Sequence, residues 1–330
     1  MDNIELMTKL LLSFLSSFFL SLIFNKLIIK IFRKYKLKQV EREYLETHIK
    51  KEGTPSLGGL SILLATLGSF FVYSIKAQLN KNIIAILFVF FFFALVGLYD
   101  DLAKIKNKRS DGISGKKRLF LEGLIILYML VILNYHVVDF SDSIINLFNN
   151  KIYLGALFIP FIMFLIVGCA NSVNLSDGLD GLSGGLIIIA ILPFLFYAYQ
   201  VNDINLLILI LSLLGSLLGF LMYNLHPAKI FMGDTGSLSL GATLATISVY
   251  LNKIYIIPIS SLIFILETLS VIIQVLYYKK TKKRIFLMAP LHHHYEKKGI
   301  KEYRIVSYFW LYGFILCIIS ILIGGIIWKY

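Results

Sequence analysis

The sequence predicts an all-α, polytopic integral membrane protein with about ten transmembrane helices. Three observations carry this: an apolar excess, its division into segments of membrane-spanning length, and a one-sided distribution of basic residues. Hydrophobic residues make up 58% of the 330, charged residues only 15%, and mean hydropathy is +0.81. Soluble domains hold about 45–50% apolar and about 25% charged residues, so the composition calls for lipid as solvent. The formal charge of +13 then reads as Lys and Arg retained in cytoplasmic loops, and no nucleic-acid partner is expected. Cys169 and Cys317 both lie in apolar runs, which suggests neither a disulfide framework nor a zinc site.

A hydrocarbon core of about 30 Å is crossed by roughly 20 apolar residues. Candidate spans lie near residues 10–31, 57–75, 83–99, 119–138, 152–170, 183–200, 205–223, 236–251, 254–277 and 305–328. The first is longer than a signal-peptide core and no small-residue cleavage site follows it, so it counts as a span. An even number of spans puts both termini on one side. Loops after odd-numbered spans hold 24 of the 32 Lys and Arg. The opposite loops and the termini hold only Lys9, Lys76, Lys81, Lys151, Lys253 and Lys329. The odd loops are therefore expected in the cytoplasm and both termini outside. The longest external connection, 139–151, is expected to carry a small local structure. No internal repeat or low-complexity linker stands out, and residues 1–330 read as a single transmembrane domain.

Five segments depart from the apolar background, and all five fall on the cytoplasmic side. GTPSLGG (53–59) enters the second span and, alone, is a Pro/Gly turn with a helix start. Asp100 and Asp101 end the third span; carboxylates near hydrocarbon cost on the order of 2–3 kcal/mol unless solvated or paired. The basic run from Lys104 to Arg118 that follows serves as a topology signal and can also hold phosphates. In NSVNLSDGLDGLSGG (171–185), Asn171, Asn174, Asp177 and Asp180 recur every three residues, a drifting helical stripe. Such oxygen ligands suit Mg²⁺ or a polar substrate, and the interleaved glycines let backbone approach phosphate.

NLHPAKIFMGDTGSLSLG (224–241) places Asp234 between glycines before the eighth span. Its carboxylate suits a metal and the helix start an anion, although Asp-Thr-Gly-Ser also reads as a simple N-cap. MAPLHHHYEKKG (288–299) sets His292, His293 and His294 in the most basic loop. Zinc-ligand spacing is missing there, and imidazoles beside Lys suit a pyrophosphate better. Taken together, acidic metal ligands, glycine-rich backbone and basic phosphate donors are the equipment for Mg²⁺-dependent phosphoryl transfer at a membrane surface.

These segments, in this order, resemble the polyprenyl-phosphate N-acetylhexosamine-1-phosphate transferases over essentially the whole chain. The tandem aspartates, NxxNxxDGLDGL and FMGDTGSL are shared across that superfamily. APLHHHYEKKG and ETLSVIIQV (267–275) resemble the branch whose donor is UDP-MurNAc-pentapeptide. The resemblance implies a transferase that moves phospho-MurNAc-pentapeptide onto undecaprenyl phosphate and releases UMP. It implies Mg²⁺ as cofactor, a bacterial cytoplasmic membrane, a cytoplasmic active site and a possible homodimer. Carried over by motif, Asp100, Asp101 and Asp234 are the catalytic candidates, and Asp234 with Asp177 the metal ligands. Substrate contacts are implied for Lys51, Ser56, Lys104, Lys116, Asn171, Asn174, Asp177, Asp180, Phe231, Gln274, His292, His293 and His294. Two departures stand out: TPSLGG replaces the family's usual TPTMGG, and Arg118 stands where a Lys is usual. Which of Lys116, Lys117 and Arg118 meets phosphate is left open. The rival readings are a sibling transferase using UDP-GlcNAc and, from another class, a secondary transporter, whose site would lie at the midplane rather than flank the spans.

Overall fold

The computed structural model describes residues 3–35, 53–74, 79–107, 112–133, 144–147 and 150–328. Lys51, expected at the substrate site, lies outside these residues. The long helices are α1 (Asn3–Tyr35), α2 (Gly58–Ser74), α3 (Lys81–Asn107), α4 (Gly115–Ile132), α5 (Phe158–Ser176), α6 (Leu182–Gln200), α7 (Ile204–Asn224) and α8 (Gly233–Tyr250). A four-residue helix α9 (Ile257–Ser260), then α10 (Leu262–Thr281), the short α11 (Leu291–Lys297) and α12 (Glu302–Trp328) complete the chain. Seven of these are long and apolar enough to cross a bilayer, and α2 is a shorter apolar helix. The protein is an all-α, multi-pass membrane protein, with one small accessory hairpin between α4 and α5.

Where the segments differ from the sequence reading, local chemistry explains it. The connection between α4 and α5 carries a hairpin, β1 (Ile144–Leu147) and β2 (Asn150–Tyr153), paired antiparallel. The fifth span therefore starts at Phe158 rather than 152. The ninth is broken: a 3-10 turn and α9 precede α10, with Ser261 between them in a non-helical conformation. Helix α3 does not stop at the aspartates but continues to Asn107, because Lys104 and Lys106 favour its C-terminal dipole.

Packing places α7 and α8 inside. The apolar window of α7 is 78% buried, whereas that of α1 is 17% buried against the rest of the chain. Without a hydrophobic driving force between helices in lipid, small residues and hydrogen bonds hold them together. Ser16 meets Ser69 at 2.8 Å, Thr66 meets Ser216 at 2.7 Å, and Ser61 donates to Asn25 at 2.7 Å, tying α1, α2 and α7. Helix α8 (GDTGSLSLGATLATISVY) packs against α2, α3 and α5. At Gly97 a Cβ would run into the Asp234 carbonyl, so glycine there lets α3 seat directly on the start of α8. Helices α3, α5 and α7 end, and α4, α6 and α8 begin, at the same end of this bundle, which is where the polar segments gather.

Candidate active site

Asp101 fixes the start of α8. Its Oδ1 accepts from the Asp234 N–H at 3.1 Å, and its Oδ2 from the Thr235 N–H at 2.9 Å and Thr235 Oγ1 at 2.6 Å. The residue at the α8 N-cap, Met232, makes no side-chain cap. A helix start leaves orphan N–H groups, and here a buried carboxylate from α3 satisfies them. Sequence reading offered Asp234 as a possible N-cap of its own helix and Asp101 as a catalytic group. The geometry assigns the cap to Asp101 and leaves the Asp234 side chain for other work.

Asp234 sits in a ring of donors. Lys104 Nζ donates to its Oδ1 at 3.0 Å, Asn174 Nδ2 to the same oxygen at 3.0 Å, and Arg118 Nη1 approaches Oδ2 at 3.5 Å. Lys104 also pairs with Asp100 Oδ2 at 2.7 Å, and Asp100 Oδ1 accepts the Ile113 N–H at 2.8 Å. Asn174 donates further to Ser237 Oγ at 2.9 Å. Asn171 accepts from Arg118 Nη2 at 2.7 Å and donates to Glu122 Oε2 at 3.3 Å. Of the three basic residues left open, Arg118 is the one at the acidic cluster. Lys117 instead lies against Tyr99, donating to its hydroxyl at 3.0 Å, and Lys116 is exposed in the first turn of α4.

A cleft of about 130 Å³ opens beside this cluster, lined by Ser56, Asn174, Asp177, Asp180, Phe231 and Asp234 among others. The regular stripe of the sequence divides here: Asn171 and Asn174 ride on α5, Asp177 caps its end, and Asp180 sits in the turn before Gly181. Gly181, at φ 79°, reverses the chain. Burial, with the Asp234 and Asp101 carboxylates nearby, pushes the Asp177 carboxyl up to about 7. Asp180 is buried and accepts from the Ala228 N–H at 3.0 Å, while its Oδ2 lies 3.0 Å from His226 Nδ1. Its own N–H donates to Glu302 Oε1 at 2.7 Å, which ties α12 to the turn. The Ser56 hydroxyl is buried in the cleft wall and has no hydrogen-bond partner among the described residues.

The histidines stand on α11. His292 is fully buried; its Nδ1 lies 3.1 Å from Glu267 Oε2 and its N–H donates to Glu267 Oε1 at 3.2 Å. Its Nε2 abuts Gly178 of the cleft, where a Cβ would collide with it. His293 Nδ1 lies 2.7 Å from Glu296 Oε2, and His294 Nδ1 accepts the Leu287 N–H at 3.1 Å. Burial and the Lys298 charge lower the His294 pKa. Gln274 is not at the cleft: its Oε1 accepts the Ile285 and Phe286 N–H groups at 3.0 Å each, and its Nε2 donates to the Phe286 carbonyl. It shapes the loop that carries the histidines.

Two carboxylate groupings could hold a cation. Asp177 and Asp234 both line the cleft and offer carboxylate oxygens. Asp180, His226 and Glu302 present ligand atoms within 4.8 Å of one another, with Asp180 Oδ2 and Glu302 Oε1 also accepting backbone N–H groups. Both groupings offer hard carboxylate oxygens of the kind Mg²⁺ takes. The residues missed by sequence reading are Glu122, Glu267, His226 and Glu302. Glu122 and Glu267 carried a readable signal, each a lone carboxylate within an apolar run.

Residues 83–252 match glycosyl transferase family 4. The chain belongs to that family. Its relatives agree on a narrower name. The chain is 41% identical over 289 residues, 87% of it and 90% of the relative, to a phospho-N-acetylmuramoyl-pentapeptide-transferase of Staphylococcus aureus. Proteins of the same name match at 39% from Caldanaerobacter subterraneus, over 94% of this chain and 98% of the relative, and at 38% from Bacillus subtilis, over 95% and 97%.

Proposed function

We infer that this chain transfers phospho-N-acetylmuramoyl-pentapeptide from UDP-MurNAc-pentapeptide to undecaprenyl phosphate, forming lipid I and UMP. The reaction takes place at the cytoplasmic face of a bacterial cytoplasmic membrane. The name its relatives share supports the reaction. The observation that carries the site is Asp234, a carboxylate ringed by Lys104, Arg118 and Asn174 at the edge of a polar cleft.

Mg²⁺, held by Asp234 and Asp177, would neutralise the pyrophosphate of the donor. The chain's own residues position the reactants. Phe231 and the turn at Asp177–Asp180 form the nucleotide side of the cleft, while His292, His293 and His294 lie toward the sugar. Lys104 and Arg118 receive phosphate oxygens, and Asp100 keeps Lys104 in place. An oxygen of the lipid phosphate attacks the β-phosphorus, a new P–O bond forms, and the bond to UMP breaks. A phosphate monoester with a second pKa of about 6 is already largely dianionic at pH 7, so positioning and charge neutralisation suffice. Asp101 acts through α8, setting where Asp234 stands.

The test is UMP release by the purified protein with undecaprenyl phosphate, Mg²⁺ and UDP-MurNAc-pentapeptide. Release that stops with EDTA and in Asp234→Asn is expected. Full metal-dependent turnover in Asp234→Asn would overturn the metal assignment.

A further inference from the structure

Arg118 rests between two carboxylates and fully satisfies neither. Its Nη2 donates to Asn171 Oδ1 at 2.7 Å, its Nη1 reaches Asp234 Oδ2 at 3.5 Å, and its Nε stands 3.8 Å from Glu122 Oε1. That Nε and that Oε1 are both shut off from solvent, and neither has a hydrogen-bond partner among the described residues. Glu122 is completely buried, and its other oxygen is taken by Asn171 Nδ2 at 3.3 Å. An exposed Arg–Glu pair four residues apart is worth little whether open or closed. A buried donor and acceptor left about 1 Å beyond charge-assisted bonding range are costly as they stand. The missing bond closes if the guanidinium pivots on Asn171, and the same pivot takes Nη1 away from Asp234.

We propose that Arg118 is a two-position residue, neutralising Asp234 while no divalent cation is bound and swinging onto Glu122 when one arrives. Glu122 is then a positioning residue that makes room for the cation. The inference rests on the reading of Asp234 as a cation ligand. Lys104 has the same provision, since Asp100 holds it at 2.7 Å when it leaves Asp234. Each cation on Asp234 thus has a second carboxylate to retire to.

Mn²⁺ binding to the full-length, detergent-purified protein, read by electron paramagnetic resonance without substrates, tests this. Arg118→Gln removes the competitor and tightens Mn²⁺ by on the order of ten-fold, equivalent to ~1.4 kcal/mol. Glu122→Gln removes the retreat and weakens Mn²⁺ several-fold. The double variant binds like Arg118→Gln alone, because Glu122 acts only through Arg118. A merely structural pair would weaken binding in both single variants. Arg118→Gln with unchanged or weaker Mn²⁺ binding overturns the proposal, including where Glu122→Gln does not fold. Mn²⁺ binding that is indifferent to Asp234→Asn overturns the parent reading and this one with it.

Discussion

Replacing Asp101 with Asn separates a capping role from a chemical one. The carboxylate takes three hydrogen bonds, from the Asp234 and Thr235 N–H groups and from Thr235 Oγ1. An amide offers one acceptor, so its NH2 must face at least one N–H of α8 in either orientation. Bonds to a charged acceptor contribute about 1.5–3 kcal/mol each, and a carboxylate at a helix start adds up to ~2 kcal/mol. Losing one or two of the three bonds and the charge costs between about 2 and about 8 kcal/mol. The thermal melt of purified Asp101→Asn, followed by intrinsic fluorescence, is expected several degrees below that of the unaltered protein. Turnover and Mn²⁺ affinity should fall together, because Asp234 is mis-set. A variant that melts normally, binds Mn²⁺ normally and has lost turnover would refute the capping argument and return Asp101 to the reacting groups.

Asp177 binds its proton more tightly in the fold than in the unfolded chain, with a pKa near 7 against an ordinary 3.8. The stability this supplies to the metal-free protein is complete below the ordinary value and is lost as pH rises through about 7. In EDTA the melting temperature should therefore fall from pH 5 to pH 8, while Mn²⁺ affinity rises over the same range, and Asp177→Asn should flatten both trends. Gly97→Ala forces α3 off the Asp234 carbonyl; reduced expression of folded protein, read by size-exclusion profile, is expected. Gln274→Ala frees the 285–286 backbone and should raise KM for the donor more than it lowers kcat. A kcat loss at constant KM would instead place Gln274 at the reacting groups.

The spans were legible because a run of about 20 apolar residues needs no tertiary context to be recognised. Asp234, Asn174, Asp177 and Asp180 were legible by residue type and spacing, and they do meet at one cleft or its wall. Roles that depend on partners distant in sequence were not. Asp101 precedes Thr235 by 134 positions, and nothing in a tandem aspartate says which member will cap another helix. Gln274 looks available in the sequence, but a backbone turn 11 and 12 residues on consumes its amide. The choice among Lys116, Lys117 and Arg118 is a matter of helix phase at the start of α4: Arg118 faces α5, where Asn171 receives it. Glu122 lies four residues after Arg118, a spacing that pairs side chains on one helix face, and the sequence already held that hint.

The identity of the transferred group is tested directly by one comparison of donors. The purified protein, undecaprenyl phosphate and Mg²⁺ are incubated in parallel with UDP-MurNAc-pentapeptide and with UDP-GlcNAc, and the lipid-soluble product is extracted and weighed by mass spectrometry. A product bearing phospho-MurNAc-pentapeptide, with equimolar UMP, and none from UDP-GlcNAc is the predicted result. A GlcNAc-bearing lipid, or no lipid product from the muramoyl donor, would contradict it.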